Sequence, residues 1–580
     1  MTTDLASQYR PTETRRRAAA SLPAWLPWAL FFALALVAGV LALYFTRGTT
    51  LWLDDWQWAL YRRGGVHSLL TSYHGHLSLV PVLIYRALFA TAGVSSYLPF
   101  RVLIVAGHLL CGLLVFEYSR RRVGAWLALV AAALILFLGA GWQDFLWPFQ
   151  IAWLVSLSSG IGALLLLERR QWIADASACL LLLISVGSSA VGVAILAGAI
   201  FDVAWTRRRW RDAWIVVVPV VLYGAWSIAY QDATLVAGNV FSLPRWTATA
   251  WAAVLGSLTG LSGQSPGAED AGTVLEFGIP LAVAGLALIL WAAHRRPRLP
   301  PRAVTWAVAA VAFWILTDIR KSFLGHPYES RYEYVGCVFV LLFAVELARG
   351  LRVRRGLAAG LVAVTAAALL SNIGLMRDAG GYLRSQAPIA RGDLAALDIA
   401  RPLASPSYVA SSFPGFPFVE VRAGAYFAMR DAIGSPAYSV SQLIAAPEPG
   451  RYVADAELAQ LDRLTLEPAT GRARSTAPLP YLDSSTGGLV TARPPCLSYH
   501  PSVASAPGGD QLTVTMPPGG LWISAVGGSV VALRRFGQEL HQLGTITGEG
   551  PVHLSLEGDA APQPWHVQIQ TSSHMLVCGE

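Results

Sequence analysis

Two adjacent carboxylates, Asp54 and Asp55, lie in the stretch Leu51-Trp52-Leu53-Asp54-Asp55-Trp56-Gln57-Trp58, among three tryptophans. A carboxylate there can take a proton from an attacking hydroxyl or hold a hard cation. Three further groups have the right chemistry to work with them. His74-Gly75-His76 is followed by Pro81. Asp144 lies in Trp142-Gln143-Asp144-Phe145-Leu146-Trp147-Pro148. Asp318-Ile319-Arg320-Lys321 leads on to Glu329-Ser330-Arg331-Tyr332. Acids and cations gathered at one membrane face suit a reaction on a lipid-linked anion. The cation holds a phosphate while the carboxylate activates a hydroxyl. Each group also has a plainer reading. The aspartates fit a solvated turn within an aromatic belt, and the histidines fit an interface. Asp144 fits a helix cap. Arg320, Lys321 and Arg331 fit the snorkelling ends of spans.

The elements that must carry these residues are membrane helices. The chain has 580 residues, is 54% hydrophobic and only 13% charged. Soluble domains carry about 25% charged residues. Apolar runs long enough to cross ~30 Å of hydrocarbon recur through the first two-thirds. The net charge of +8 comes from arginine runs beside those segments, which set topology and do not indicate nucleic acid. Lys321 is the only lysine, as codon bias in a GC-rich, for example actinobacterial, genome would produce.

Residues 1–21 form a polar tail with Arg15-Arg16-Arg17, expected to be cytoplasmic. Spans are expected near 22–46, 97–119, 123–140, 150–167, 172–186, 188–205, 213–230, 272–293, 303–318, 331–349 and 357–376. Two amphipathic helices, 54–63 and 76–92, are expected to lie on the membrane, with an interfacial helix carrying Trp246 and Trp251 in the loop 231–271. With about eleven spans, every arginine-rich connection falls inside and the acidic loops fall outside. From 377 the composition changes: only Trp522 and Trp565 of the 21 tryptophans follow it. Period-two patterns at Gln511–Met516, Leu521–Val526, Ser529–Phe536, Val552–Glu557 and Trp565–Thr571 predict an extracytoplasmic β-sandwich within 377–580, beginning at about 490. Cys496 and Cys578 bracket these strands and are candidates for a disulfide. The fold class is thus a polytopic α-helical membrane protein with a C-terminal β-domain. There is no CxxC, no metal-spaced Cys/His cluster and no phosphate-binding Walker loop.

Over about residues 22–376 the pattern resembles the GT-C superfamily of integral-membrane glycosyltransferases, which use polyprenyl-phosphate-linked sugars. That family has an acidic motif after the first span, matched by Asp54-Asp55. Juxtamembrane helices with His and Pro follow, matched by His74, His76 and Pro81. An Arg opening the second span matches Arg101, an acid in the next outer loop matches Asp144, and a late Arg-Tyr pair matches Arg331-Tyr332. The WWDYG motif of oligosaccharyl transferases is absent. The C-terminal β-domain is similar in layout to that of mycobacterial arabinosyltransferases, whose outer domain looks like a carbohydrate-binding module.

The resemblance implies a sugar transferase at the outer membrane face, acting on a cell-wall glycan or glycolipid acceptor. Asp55 or Asp54 is the implied base. The donor phosphate would sit near Arg331, with Arg320 or Lys321. A divalent cation (Mg, Mn or Ca) shared by Asp54, Asp55 and Asp144 is compatible but not required. Adjacent helical positions point about 100° apart, so only one of Asp54 and Asp55 is expected to face a cavity. Two other functions compete. A lipid transporter or flippase would place ionisable groups within the spans and show internal repeats, and neither feature is found. A non-catalytic scaffold binding glycan through the β-domain would not need the aspartates.

Overall fold

The computed structural model describes residues 23–580 apart from 208–209, 233–236, 263–265, 267–270, 296–298, 320–324, 352–353, 411, 416–418, 472, 474–475, 503–509, 526, 549, 557 and 560. Arg320 and Lys321, expected beside the donor phosphate, lie outside the described residues.

Among the described residues, six helices are long and apolar enough to cross a membrane: Leu26–Phe45, Leu98–Val123, Pro148–Arg169, Gly272–Arg295, Pro301–Ile319 and Gly356–Ile399. The other stretches read as spans are also helical, at Ala125–Leu136, Trp172–Val186, Val191–Asp202, Trp214–Tyr230 and Ser330–Leu347. The first four are short. The last carries Arg331, Glu333 and Glu346. The chain is therefore a multi-pass membrane protein. The two amphipathic helices are found at Asp54–Tyr61 and Leu79–Ala92. The helix expected in the loop 231–271 is Leu243–Thr259, and it packs on Ala271–Arg295 and Ser330–Leu347. Its small residues Ala250, Ala252, Ala253 and Gly256 are buried, and a small face lets neighbouring backbones approach closely.

One end of the bundle is closed by ion pairs. Arg122 bridges Glu168 and Glu346, while Arg302 meets Glu168 and Asp202. Arg331 lies at the opposite end of the helix Ser330–Leu347 from Glu346.

The last membrane helix does not stop at 376. It runs as one helix, Arg355–Ile399, about 68 Å long at 1.5 Å per residue. The expected domain boundary therefore falls inside a continuous helix. Its far half packs on Glu448–Leu461, where Gly392 and Gly450 meet: a Cβ on Gly392 would stand 2.0 Å from the Gly450 carbonyl oxygen.

Eleven strands follow among the described residues: β1 (Leu466–Pro468), β2 (Tyr481–Thr486), β3 (Gly488–Arg493), β4 (Cys496–Pro501), β5 (Asp510–Thr515), β6 (Gly520–Ala525), β7 (Val530–Arg534), β8 (His541–Thr545), β9 (Gly550–Ser555), β10 (His566–Thr571) and β11 (Met575–Gly579). They form two antiparallel sheets, β1-β9-β6-β11-β4-β3 and β2-β5-β10-β7-β8. Alternate residues such as Leu521 and Ile523, or Val567 and Ile569, are fully buried between them. All five anticipated strands are present. Cys496 and Cys578 form a disulfide between directly opposed positions of β4 and β11.

The Gly392–Gly450 contact gives a prediction. Gly392→Ala must push the two helices apart and is expected to lower the melting temperature by several degrees. Gly360→Ala, on the same helix with nothing within 4 Å, is expected to be neutral or slightly stabilising. Thermal unfolding of both variants in detergent checks the contrast.

Candidate active site

The short helix Asp54–Tyr61 starts from a kink. Leu53, just before it, has φ +44°, a backbone conformation that costs on the order of 1–3 kcal/mol. The surroundings hold it. Trp56 is fully buried and donates its indole N–H to the Leu51 carbonyl at 3.0 Å. Trp58 packs on Tyr85 and Phe149, with ring centroids 4.8 and 4.5 Å away. These tryptophans are core residues rather than members of an interfacial belt.

The two aspartates leave this helix in different directions. The Asp55 carboxylate has no exposed surface. It accepts hydrogen bonds from the Tyr85 hydroxyl, the Tyr97 hydroxyl (2.5 Å), the Trp147 indole (3.1 Å) and the Trp52 backbone N–H (3.1 Å). Asp54 instead lines a cavity of about 340 Å³. The Tyr73 hydroxyl donates to its Oδ1 at 2.5 Å, and His74 Nε2 stands 3.8 Å from the same oxygen.

Tyr73 and the histidines are placed by a tight turn. The Tyr73 and His76 backbones exchange hydrogen bonds at 3.0 and 2.9 Å. His74 and Gly75 between them both have positive φ, +49° and +76°, as mirror-type hairpin turns demand. The turn leaves His74 largely exposed above Asp54 and puts His76 in the cavity wall.

Arg331 and Tyr332 complete that wall. Arg331 Nη2 pairs with Glu329 Oε2 at 2.5 Å. Tyr332 stacks on Trp153 at 5.7 Å. Phe313, Leu316 and Val191 give the lining an apolar part. One cavity therefore joins a carboxylate, a guanidinium and an apolar wall.

Several solved structures resemble this chain. ArnT from Cupriavidus metallidurans bound to undecaprenyl phosphate aligns with a TM-score of 0.42 and 15% identity, over 66% of this chain and 82% of that one. The archaeal oligosaccharyltransferase AglB from Archaeoglobus fulgidus, in complex with an inhibitory peptide and a dolichol-phosphate, aligns with a TM-score of 0.41 and 14% identity, over 71% of this chain and 65% of that one. No family model and no curated protein matches the sequence.

Three sequence readings are refined. First, of the two aspartates, between which the sequence left the choice open, Asp54 faces the cavity and Asp55 is buried away from it. Second, Arg101 does not line the cavity. Its guanidinium bonds Thr46 Oγ1 at 3.0 Å and the Leu43 carbonyl, closing the end of Leu26–Phe45, as basic side chains do at helix C-termini. Third, Asp144 is fully buried behind the cavity, makes no helix cap, and its two oxygens have no hydrogen-bond partner. Burial raises its pKa well above the usual carboxylate range, with Arg331 opposing. Among the described residues no group of three or more His, Cys, Asp or Glu side chains could hold a metal ion.

Sequence reasoning missed Tyr85, in an apolar run, and Tyr97, after Ser95-Ser96, since neither carries a local signal. It also missed Gln150 in the cavity wall.

Burial pushes the Asp55 carboxyl up to about 6, against its four hydrogen bonds. Desolvation thus outweighs those bonds by about 3 kcal/mol. The folded state holds this proton more tightly than the unfolded chain does. The stabilisation is complete below the ordinary carboxylate pKa of about 4 and is lost as pH rises through about 6. Wild type is expected to melt higher at pH 5 than at pH 7, and Asp55→Asn, which cannot titrate, should reduce that difference. Melting curves of both at the two pH values measure it.

Proposed function

We propose that this protein is a GT-C-type glycosyltransferase that moves a sugar from a polyprenyl monophosphate to a hydroxyl of a cell-envelope glycan or glycolipid. The observation that carries the reading is the single cavity shared by Asp54 and Arg331, with an apolar wall leading into the bundle. The proposed topology puts the N-terminus inside and both the cavity and the β-domain outside, since the arginine-rich connections then share the inner side.

In this reading the acceptor oxygen attacks the anomeric carbon. The bond from that carbon to the phosphate oxygen breaks, and polyprenyl phosphate leaves with the electron pair. Asp54 takes the acceptor's proton, with its carboxylate oriented by Tyr73. Arg331 stabilises charge on the departing phosphate, and Glu329 fixes the guanidinium. Asp55 holds the helix that presents Asp54. The phosphate is already a good leaving group, so positioning and charge stabilisation carry the catalysis. The C-terminal β-domain would hold the acceptor. A divalent cation could still enter with the donor phosphate, but no step here passes through one.

The test is transfer of radiolabelled sugar from decaprenyl phosphate to a crude cell-wall glycan by protein in nanodiscs. Asp54→Asn is expected to lower turnover by about 100-fold or more, the usual range for losing a general base. Arg331→Ala should lower it comparably. Asp55→Asn is expected to cost about 1–3 kcal/mol of stability and, by loosening the helix that presents Asp54, to lower turnover less than Asp54→Asn does. Wild-type turnover by Asp54→Asn would remove Asp54 from the reaction.

A further inference from the structure

The helix Asp54–Tyr61 is followed by two arginines, Arg62 and Arg63, and a third, Arg86, reaches them from Leu79–Ala92. None of the three has a part in the proposed transfer. Arg62 is only 8% exposed. Its Nη2 donates to the Thr71 and Ser72 carbonyls at 3.0 and 2.6 Å, and its guanidinium lies 5.0 Å from the centre of the Tyr73 ring. Arg86 donates to the Arg62 carbonyl at 3.1 Å, to the Gly65 carbonyl and to Ser68 Oγ. These bonds tie down the loop between the two amphipathic helices.

They leave the charge unmatched, because every one of these partners is neutral. Among the described residues, none of the three arginines forms an ion pair. Asp232, whose charge reaches Arg62, makes no ion pair with it. Tyr73 separates Arg62 from Asp54, since its ring faces the guanidinium and its hydroxyl takes the carboxylate. Arg62 Nη1 and Arg63 Nε have no hydrogen-bond partner. Burial lowers the Arg63 pKa and nothing opposes the shift. An arginine as buried as Arg62 is ordinarily paired, and the guanidinium of Arg86 beside it adds repulsion. Three such cations ask for an anion from outside the chain.

The surroundings say which anion. Leu79–Ala92 buries Pro81, Val82, Tyr85 and Phe89. Its opposite face carries Leu83, Arg86, Ala87 and Ala90, spaced as one helix stripe. Leu83, Ala87 and Ala90 are exposed, and Arg63 and Arg86 are partly so. Val66, at the tip of the loop, is 72% exposed. An exposed apolar stripe with an arginine in it fits a helix on the membrane surface, with its apolar residues against acyl chains and the arginine at headgroup depth. The anions at that depth are lipid phosphates, and the planar fork of a guanidinium matches phosphate oxygens.

We infer that Arg63 and Arg86, backed by the buried charge of Arg62, bind the headgroup phosphate of an anionic phospholipid whose chains run along Leu83, Ala87 and Ala90. A zwitterionic lipid brings a cation of its own to the site, so a net negative headgroup is preferred. This goes beyond the proposed transfer and does not rest on it. The lipid is a partner distinct from the sugar donor, whose cavity lies on the other side of Tyr73.

The experiment is equilibrium binding of dioctanoyl phosphatidylglycerol to the full-length protein in a neutral detergent. Dioctanoyl phosphatidylcholine, dioctanoylglycerol, inorganic phosphate and a soluble uronic acid trisaccharide are the comparison ligands. The proteins are wild type, Arg63→Gln, Arg63→Glu, Arg86→Gln and, as a control at an exposed arginine after Leu26–Phe45, Arg47→Gln. Phosphatidylglycerol is expected to bind wild type about tenfold or more tightly than phosphatidylcholine or dioctanoylglycerol. Arg63→Gln and Arg86→Gln should each weaken it about fivefold. Arg63→Glu should weaken it further, and Arg47→Gln should leave it unchanged. Arg86→Gln also removes bonds that hold the loop. Melting curves show whether that variant folds, and if it does not, the two Arg63 variants carry the test. Equal binding of the glycerol and choline lipids, or Arg63 variants that bind phosphatidylglycerol within about twofold of wild type, would overturn the inference. So would displacement of the lipid by equimolar inorganic phosphate, which would make this a free-phosphate site, or binding of the trisaccharide in its place, which would make it a glycan site. None of these readings uses sugar transfer, so they stand apart from the fate of the transferase reading.

Discussion

The buried carboxylate of Asp55 is the interaction on which the rest of the site depends. Its four donors come from separate parts of the chain: the backbone just before its own helix, Tyr85 in the second amphipathic helix, Tyr97 before the second span, and Trp147 in the loop after Ala125–Leu136. One acid thereby ties four segments to the helix Asp54–Tyr61. Its neighbour Asp54 is left at the cavity wall, in a position that the kink at Leu53 alone would not fix. Burying a carboxylate is costly, and four hydrogen bonds offset only part of that cost. A cost of this kind is retained where it sets the geometry of a working site.

The same helix is held from its other side by the chain beyond the membrane. Phe413 meets Trp56 edge-on at 5.2 Å, and the Tyr61 hydroxyl donates to the Glu420 carbonyl at 2.8 Å. Those residues belong to the segment that follows the long helix Arg355–Ile399. This helix crosses from the bundle into the C-terminal region without a break and packs there on Glu448–Leu461. The β-domain is therefore connected to the acidic helix through a rigid rod and a packed loop rather than a free linker.

Much of this was legible in the sequence, for definite reasons. Apolar runs and arginine placement reveal membrane helices because hydrocarbon leaves backbone groups no partner outside the chain. The β-strands at 510–571 showed because a half-buried strand alternates. Residues 481–501 hid three strands; β2 is exposed along its whole length, so no alternation marks it. Asp54, the His-Gly-His turn and Arg331-Tyr332 did meet at one cavity. The choice between Asp54 and Asp55 turned on tyrosines 30 and 42 residues further along, which a local pattern cannot supply. Arg101 and Asp144 have the right residue types at the right end of the bundle, but tertiary packing gives one to a helix end and buries the other. Gln150 carried no signal, because a single amide beside a span is ordinary until its surroundings are seen.

The central claim is that the cavity above Asp54 opens to the outer face and receives a lipid-linked sugar phosphate. A single cysteine at His74 tests it most directly. Its side chain is largely exposed at the cavity. The native thiols do not compete, since Cys111, Cys179 and Cys337 are buried and Cys496 is bonded to Cys578. In intact cells His74→Cys should react with a membrane-impermeant maleimide, and in nanodiscs a polyprenyl-phosphate sugar should slow that reaction while the free polyprenol does not. Labelling only after permeabilisation, or no protection by the sugar phosphate, would contradict the claim.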